Sequence, residues 1–271
     1  MNSLKKIALF YVFANLHVAL ATAAMTYVTL LKYEEIDLVP VGFVFLSTVV
    51  SYNFIRLVRL DTIKSWMAVW LQRNRKLMLL LSGICTVLLI VLLFQLRWEA
   101  ILSLSPFFLL TFFYSVPVFY TKKTLRFTPG IKLFVIAFSW AGVTVFFPLV
   151  DSGYSINMEV GMLFIQRIFL AMALTIPFDI RDLNYDKASL KTIPQLIGVK
   201  NAKLLGAAFA LVFMGFEFYF YQFQLHLMFP EFMVGGMLIM SLYFSNRNQN
   251  KWLASFWVEG IPIIWLLLLL I

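Results

Sequence analysis

The chain has 271 residues, of which 62% are hydrophobic and only 13% are charged, and its mean hydropathy is +0.89. Soluble domains are about 45–50% apolar and about 25% charged, so this composition excludes an ordinary soluble domain and indicates a protein that lies in lipid. The net charge of +9 matters through its placement along the chain, and the single cysteine, Cys85, excludes an intrachain disulfide.

Nine segments are long and apolar enough to cross a membrane, because a transmembrane helix needs about 20 apolar residues. They lie near residues 7–31, 38–58, 77–96, 99–119, 131–150, 159–179, 202–222, 228–244 and 252–271. The sequence shows no internal repeat, and no flexible linker lies between these segments. We therefore expect one all-α domain over residues 1–271, a polytopic membrane bundle of about nine transmembrane helices.

The loops between these segments alternate in charge. One set of loops carries 19 of the 22 basic residues, whereas the other set is acidic and has only Lys32 and Arg97 as basic members. Positive loops stay in the cytoplasm, so we expect a cytoplasmic amino terminus and an outside carboxyl terminus, in a bacterial inner membrane. The basic set comprises Lys5, Lys6, Arg56, Arg59, Lys64, Arg73, Arg75, Lys76, Lys122, Lys123, Arg126, Lys132, Arg181, Lys187, Lys191, Lys200, Lys203, Arg247 and Lys251.

The amino terminus also has the outline of a cleavable signal peptide, with Lys5 and Lys6, an apolar stretch and Ala21-Thr22-Ala23. The apolar stretch continues to Leu31, which is longer than a usual signal core and favours a membrane span.

Three polar clusters fall at the predicted cytoplasmic ends of helices, at residues 53–61, 122–126 and 179–186. At 100° per residue, Asp179, Asp182 and Asp186 lie within an arc of about 60° if the helix continues past Pro177. Carboxylates in this arrangement suit Mg²⁺, which proteins usually hold with one or two carboxylates and substrate phosphates. The alternative is a solvated helix end in which Asp179 pairs with Arg181 or Lys187.

Basic residues accompany these carboxylates on the same side, namely Lys191 and the loop residues Lys122, Lys123 and Arg126. Mg²⁺ beside several basic side chains is what a diphosphate needs, because cations stabilise the charge on the leaving oxygen. The alternative is that the basic loop residues set the topology and bind the head groups of membrane lipid.

The stretch FDIRDLNYDKASLKTIPQLIG (178–198) resembles the second aspartate-rich motif of the UbiA family of intramembrane prenyltransferases. YSVPVFYTKKTLRFTPGIKLFVIAFSWAG (114–142) is similar to the family's Tyr-Ser/Pro segment, its basic residues and its next span. The resemblance implies a helical bundle around a lipid-accessible cavity, in which Mg²⁺ binds a polyprenyl diphosphate and the prenyl group passes to a lipophilic acceptor.

The same resemblance implies roles for individual residues. Asp179, Asp182 and Asp186 would hold one Mg²⁺, and Lys191 would contact the diphosphate. One of Lys122 and Lys123 would also contact the diphosphate, with Arg126 beside them, and Tyr114 would line the site.

The family's first motif, Asn-Asp-x-x-Asp-x-x-x-Asp, is degenerate in this chain. The matching stretch YNFIRLVRLD (52–61) keeps Asn53 and Asp61, but Phe54 and Leu57 stand where carboxylates are expected. Asp61 is therefore the one candidate metal ligand of this motif.

Two basic residues lie in the same two turns of this stretch. We expect Arg56, with Arg59 as a poorer second, to do part of the neutralising work of a lost metal ion. The alternative is that both are ordinary arginines at the membrane edge.

The degenerate motif keeps rival functions open. The chain is predicted to be a prenyltransferase; the alternatives are a non-catalytic isoprenoid- or lipid-binding protein of the same fold and a terpene cyclase. A transporter is less favoured, because matching Gly/Pro-broken helices in two halves are not evident, and we expect no nucleic-acid partner. Arg167 and Glu217, inside apolar segments, indicate an ion pair or a role in acceptor recognition, and Glu259 could face the acceptor or the head groups.

Overall fold

Helices make up every regular element of the described chain. The structure is a computed structural model and describes residues 3–58, 68–115, 130–186, 190–222 and 224–271. The helices are α1 (Ser3–Phe13), α2 (Leu16–Lys32), α3 (Val39–Val58), α4 (Ala68–Arg73), α5 (Arg75–Leu93), α6 (Trp98–Ser103), α7 (Ser105–Ser115), α8 (Ile131–Ala141), α9 (Phe147–Asp151), α10 (Met158–Asp182), α11 (Ile193–Tyr221), α12 (Leu225–Phe244) and α13 (Ile261–Leu269). Two π-helical segments, Gly142–Phe146 and Leu253–Val258, join α8 to α9 and precede α13.

In their described parts, the nine predicted membrane segments coincide with helices. Among the described residues, six helices are long and apolar enough to cross a membrane by length and composition, and α1 with α2, bent by 57° between them, makes a seventh if the pair is counted as one span. The remaining two segments are shorter apolar helices, Trp98–Tyr114 and Leu253–Leu269. The predicted all-α membrane bundle is therefore confirmed.

The helices pack side by side in an order that differs from their order in the chain. Helix α10 contacts α8 and α11, α11 contacts α12, and α12 contacts α13, which returns to pack against α2. On the other side α2 contacts α3, and α3 contacts α5. In the most apolar stretch of α10, 67% of the residues are buried, whereas in that of α5 only 11% are buried. Helix α5 therefore lies at the outside of the bundle.

Small residues allow this packing. Lipid is as apolar as a leucine side chain, so helices in a membrane associate through close van der Waals contact rather than through the hydrophobic effect. Helix α2 has four alanines that are no more than 5% exposed, and it lies against both α3 and α13. These alanines are Ala19, Ala21, Ala23 and Ala24.

A break at Asn15 divides the first span. Asn15 adopts a left-handed conformation (φ 63°) between α1 and α2, and its side-chain amide donates to Asn53 Oδ1 at 2.7 Å. The Arg56 guanidinium donates to the Phe13 carbonyl at 2.8 Å. Helix α3 therefore supplies polar partners for backbone and side chain at the point where the first span bends.

A second buried polar cluster lies at the end of the bundle opposite Asp182. Lys32 pairs with Glu217 at 3.2 Å and with Glu231 at 3.1 Å, and both carboxylates are fully buried. Arg167, also fully buried, donates to the Met25 carbonyl and to Thr29, and its guanidinium carbon lies 4.8 Å from the centre of the Trp265 ring. In this cluster the two positive charges therefore equal the two negative charges in number.

Arg167 and Glu217 do not form the ion pair that is one of the two roles indicated by their positions inside apolar segments. Among the described residues, Lys32 and Gln166 take the Glu217 carboxylate instead, and Arg167 hydrogen bonds to neutral oxygens. The physical reason is that Lys32, at the end of α2, reaches both glutamates, while Arg167 faces α2 itself.

The last residue of the motif-like stretch 178–198 has a purely conformational role. Gly198 has φ 79° and ψ 162° and interrupts α11 with a kink. Only glycine adopts this region at little cost, and other residues lose about 1–3 kcal/mol there. The preceding residues start the helix, because Thr192 and Gln195 form a capping box and Pro194 stands in the first turn.

We predict that Gly198→Ala lowers the free energy of unfolding by about 1–3 kcal/mol, because alanine is strained at this backbone conformation. The measurement is thermal unfolding of the purified protein in detergent. Gly215→Ala is the matched control: Gly215 is in the same helix, and a Cβ there would meet nothing within 4 Å. An equal melting temperature for both variants would contradict the prediction that alanine is strained at position 198.

We also predict that Lys32→Met lowers the free energy of unfolding by about 3–5 kcal/mol, because it leaves two buried glutamates without their cation. Lys203→Met is the control, since Lys203 is half-buried and, among the described residues, its ammonium group donates to the Tyr243 carbonyl and pairs with no carboxylate. The melting temperature of each variant in detergent provides the comparison. A Lys32 variant as stable as the control would show that the cluster contributes nothing to stability.

Candidate functional site

A cavity of about 180 Å³ lies between the ends of α1, α3, α8, α10 and the Leu253–Val258 segment. Its lining residues are Val12, Tyr52, Arg56, Lys132, Ile136, Trp140, Leu174, Thr175, Phe178, Asp179, Arg181, Asp182, Ser255 and Glu259. Three of them are basic and three are acidic, so the described wall is electrically balanced.

The lining forms two layers, which follow from the direction of each helix. An α-helix rises about 1.5 Å per residue, so four residues separate positions by about 6 Å. Tyr52 lies one turn deeper than Arg56, and Trp140 two turns deeper than Lys132. Thr175 and Glu259 occupy the same deeper layer, one turn below Asp179 and Ser255. Most charges form a rim, and aromatic and hydroxyl groups form a floor.

At the rim, the carboxylates pair with basic residues. Lys132 Nζ lies 2.6 Å from Asp179 Oδ1 and 3.7 Å from Asp186 Oδ2. Arg181 forms a bidentate pair with Asp182 at 2.8 and 2.9 Å, and its other nitrogen donates to Ser255 Oγ at 2.5 Å. Asp179 is 1% exposed, so it needs the cation that Lys132 provides.

The three aspartates do not share one helical face. Helix α10 continues past Pro177 but ends at Asp182, and the backbone N–H groups of Tyr185 and Asp186 both donate to the Asp182 carbonyl. Asp186 therefore lies on the turn after the helix. The prediction that all three carboxylates lie within one arc of a helix is wrong for Asp186, because the helix ends four residues before it.

Asn53 is buried and lies outside the cavity wall. Its side chain accepts from Asn15 and donates to Ser82 Oγ at 3.2 Å. Phe54 and Leu57, at the two positions of the missing carboxylates, are apolar and do not line the cavity. Phe54 is 53% exposed on the outer surface, and Leu57 packs against Leu71 and Met78.

The remaining predicted site residues fall into three groups. Arg56 lines the cavity, and Tyr114 is buried close enough to Lys132 and Tyr52 for electrostatic interaction. Lys191 is exposed on the loop before α11, with a left-handed backbone (φ 44°), and its carbonyl accepts from the Gly130 N–H. Arg59, Asp61, Lys122, Lys123, Arg126 and Lys187 lie outside the described residues.

Sequence reasoning missed three residues of this wall. From the sequence, Lys132 is one of the basic loop residues that indicate orientation, with no further role. A lysine in the first turn of α8 opposes the helix dipole, and this conflict is the signal that could have revealed an acidic partner. Tyr52 and Trp140, which are joined by a 3.1 Å hydrogen bond from Trp140 Nε1, carried no such signal.

The Glu259 carboxylate has a distinct position in the floor. Its backbone N–H donates to the Ala254 carbonyl five residues earlier, as in a π-helix, and such segments are frequent at functional sites. Arg56 and Arg181 lie close enough for electrostatic interaction, but neither they nor any other described residue forms an ion pair or hydrogen bond with its carboxylate. Glu259 thus retains acceptor capacity toward the cavity.

The donor set at the rim is chemically suited to Mg²⁺. Carboxylate oxygens are the ligands that this ion prefers, and Asp186 Oδ2 accepts no hydrogen bond although it is buried. Yet the described residues include no group of three His, Cys, Asp or Glu side chains already gathered as a metal site. The position between Asp179 and Asp186 is taken by the Lys132 ammonium.

Comparison with known proteins gives two structural relatives. No protein-family model matches the chain, and no curated protein sequence matches it. A digeranylgeranylglyceryl phosphate synthase superposes with a TM-score of 0.56 at 18% identity, over 98% of this chain and 96% of its own. A UbiA homolog from Archaeoglobus fulgidus, solved with GPP and Mg²⁺, superposes with a TM-score of 0.61 at 13% identity, over 97% of this chain and 96% of its own. The resemblance predicted from residues 114–142 and 178–198 is thereby confirmed for the fold: the chain is built as these UbiA-type membrane proteins are.

Proposed function

We propose that the chain transfers a prenyl group from a polyprenyl diphosphate to a lipophilic acceptor inside the membrane, with Mg²⁺ as cofactor. The observation that carries the proposal is the two-layered cavity, in which a rim of basic residues and carboxylates lies above an aromatic floor. A prenyl diphosphate has the same two parts, an anionic head and an apolar chain. The UbiA homolog of the same fold was solved with such a compound, GPP, and with Mg²⁺.

The basic residues of the rim would bind and orient the diphosphate. An Arg guanidinium offers bidentate donors to phosphate oxygens and keeps its charge, which suits Arg56 and Arg181 to this role. Asp179, Asp182 and Asp186 would hold Mg²⁺, which when bound supplies further neutralisation of the diphosphate charge. Lys191, Asp61 and the loop residues Lys122, Lys123 and Arg126 are proposed to complete the site, as the resemblance implies.

Transfer then follows from separation of the head and the chain. The allylic C–O bond breaks with its electron pair leaving on the diphosphate, and the resulting carbocation lies near the faces of Tyr52 and Trp140, which attract positive charge. The acceptor's nucleophilic atom forms the new bond to carbon, and its proton leaves. Glu259, in the same layer and without a direct partner among the described residues, is placed to accept that proton and to orient the acceptor.

The second candidate function is a non-catalytic isoprenoid-binding protein. The observation that favours it is the degenerate stretch of α3, where Asn53 is held by two other side chains and the missing carboxylates are replaced by packed or exposed apolar residues. Such a stretch provides no second set of metal ligands among residues 53–58. Binding of a prenyl diphosphate without its cleavage would support this function, and diphosphate release without any acceptor would instead support a cyclase.

The charges of the loops indicate the side of the membrane on which the cavity rim lies. The rim carries the Asp182 end of α10, which belongs to the basic set of loops, so we place it on the cytoplasmic side of a bacterial inner membrane. Water-soluble diphosphate substrates would then reach the rim from the cytoplasm, and lipophilic acceptors would enter from the membrane.

We predict that the purified protein releases diphosphate from GPP, farnesyl diphosphate or geranylgeranyl diphosphate in the presence of Mg²⁺ and a lipid extract as acceptor source. Asp182→Asn is expected to lower this release at least tenfold, because it removes a carboxylate of the rim and the partner of Arg181. Release is measured by a coupled phosphate assay, with mass spectrometry of the lipid products.

Arg56→Gln in the same assay is expected to raise the KM for the diphosphate, since a cation of the rim is lost. Lys203→Gln removes a half-buried positive charge that does not line the cavity and is the control for both variants. Absence of release with all three substrates, together with tight binding of one of them, would exclude the transferase and leave the binding protein.

We further predict that Glu259→Gln lowers kcat for transfer at least tenfold while GPP affinity changes less than threefold. The amide keeps the shape and polarity of the side chain but cannot accept a proton. GPP affinity is measured by equilibrium dialysis and kcat by product formation with the acceptor found in the lipid extract. A parallel loss of affinity and turnover would assign Glu259 to the diphosphate rim instead.

A further inference from the structure

Lys132 occupies a position that a metal ion would be expected to take. Its ammonium nitrogen lies between two carboxylates that come from different segments, 2.6 Å from Asp179 on α10 and 3.7 Å from Asp186 on the following turn. We propose that Lys132 is a resident cation of the diphosphate site, which neutralises Asp179 and Asp186 while no divalent ion is bound and competes with Mg²⁺ for these two carboxylates. This inference rests on the proposed function insofar as it concerns the diphosphate.

The geometry supports a cation shared by the two carboxylates. Asp179 is almost fully buried (1% exposed), and such a carboxylate is stable only beside a positive charge. The ammonium group donates a hydrogen bond to Asp179, whereas Asp186 Oδ2 is buried and accepts none. Lys132 thus satisfies one carboxylate directly and the other only by its charge. A divalent ion could ligate both oxygens, but it would need the same space.

The placement of Lys132 in its own helix is unfavourable without these partners. It lies in the first turn of α8, where a positive charge opposes the helix dipole. The start of that helix is tied to the loop after Asp186 by the hydrogen bond from Gly130 N–H to the Lys191 carbonyl, at 3.2 Å. The helix end and the carboxylates are therefore held together, and Lys132 reaches both while its side chain stays only 15% exposed.

The α3 side of the cavity contributes a cation and no carboxylate among the described residues. Phe54 and Leu57 stand at two expected carboxylate positions, and Arg56 from the same turn lines the cavity. With Lys132 and Arg181, the described wall presents three fixed positive charges, equal in number to its carboxylates. A diphosphate that arrives at this wall meets cations that belong to the chain, so its binding depends less on added metal.

Two consequences can be measured. If Lys132 and a divalent ion exclude each other, Lys132→Gln will increase the affinity of the substrate-free protein for Mn²⁺ at least tenfold, as seen in the loss of the free Mn²⁺ signal in electron paramagnetic resonance. If Lys132 serves as a cation for the diphosphate, the wild-type protein will bind GPP in EDTA within tenfold of its affinity in Mg²⁺. In EDTA the variant will bind GPP at least tenfold more weakly than the wild type, and Mg²⁺ will restore its affinity.

Lys203→Gln, which removes a lysine that does not line the cavity, is the control and is expected to match the wild type in both measurements. An unchanged or weaker Mn²⁺ affinity of folded Lys132→Gln would overturn the proposal. Complete loss of wild-type GPP binding in EDTA, with binding in Mg²⁺, would also overturn it and needs no variant. If GPP binds under neither condition, the proposed function fails, while the Mn²⁺ comparison still decides whether Lys132 competes with a divalent ion.

Discussion

A charge in the apolar interior of a helical bundle is stable only where an opposite charge or a hydrogen-bond donor neutralises it. This constraint governs both polar clusters of the chain. At one end Lys32 lies between Glu217 and Glu231, and at the other Lys132 lies between Asp179 and Asp186. In each cluster one lysine ammonium contacts two carboxylates, and the surrounding helices are held in register by the requirement that these groups meet.

The two clusters differ in what surrounds them, and this difference separates a structural role from a functional one. The cluster of Lys32 is enclosed by packed side chains, with the Trp265 ring against both Lys32 and Arg167, and it borders no described cavity. The cluster of Lys132 forms part of a cavity wall that also contains Arg56 and Glu259. Buried charge beside open space can exchange its partner for a ligand, whereas buried charge in a filled core cannot.

The bend in the first span links packing to the site. At the break, the Asn15 side chain hydrogen-bonds to Asn53 of α3, and the Phe13 carbonyl accepts from Arg56 of α3. Asn53 is thereby committed to the fold, although its place in the sequence pattern indicated a ligand. Arg56 reaches the Phe13 carbonyl with one nitrogen while its side chain still lines the cavity, so the same turn of α3 both supports the bend and contributes a cation to the wall.

The sequence by itself determined the membrane bundle, its nine apolar segments and the aspartate-rich stretch at residues 179–186, because hydropathy, span length and motif spacing are local properties of the chain. It could not determine which cation meets which carboxylate. Lys132 and Asp179 are 47 residues apart, and their contact exists only because α8 packs against α10. Nor could helical spacing show that α10 ends at Asp182 or that Asn53 faces Asn15. The end of a helix and the direction of its polar side chains depend on neighbouring helices, so the tertiary structure decided them.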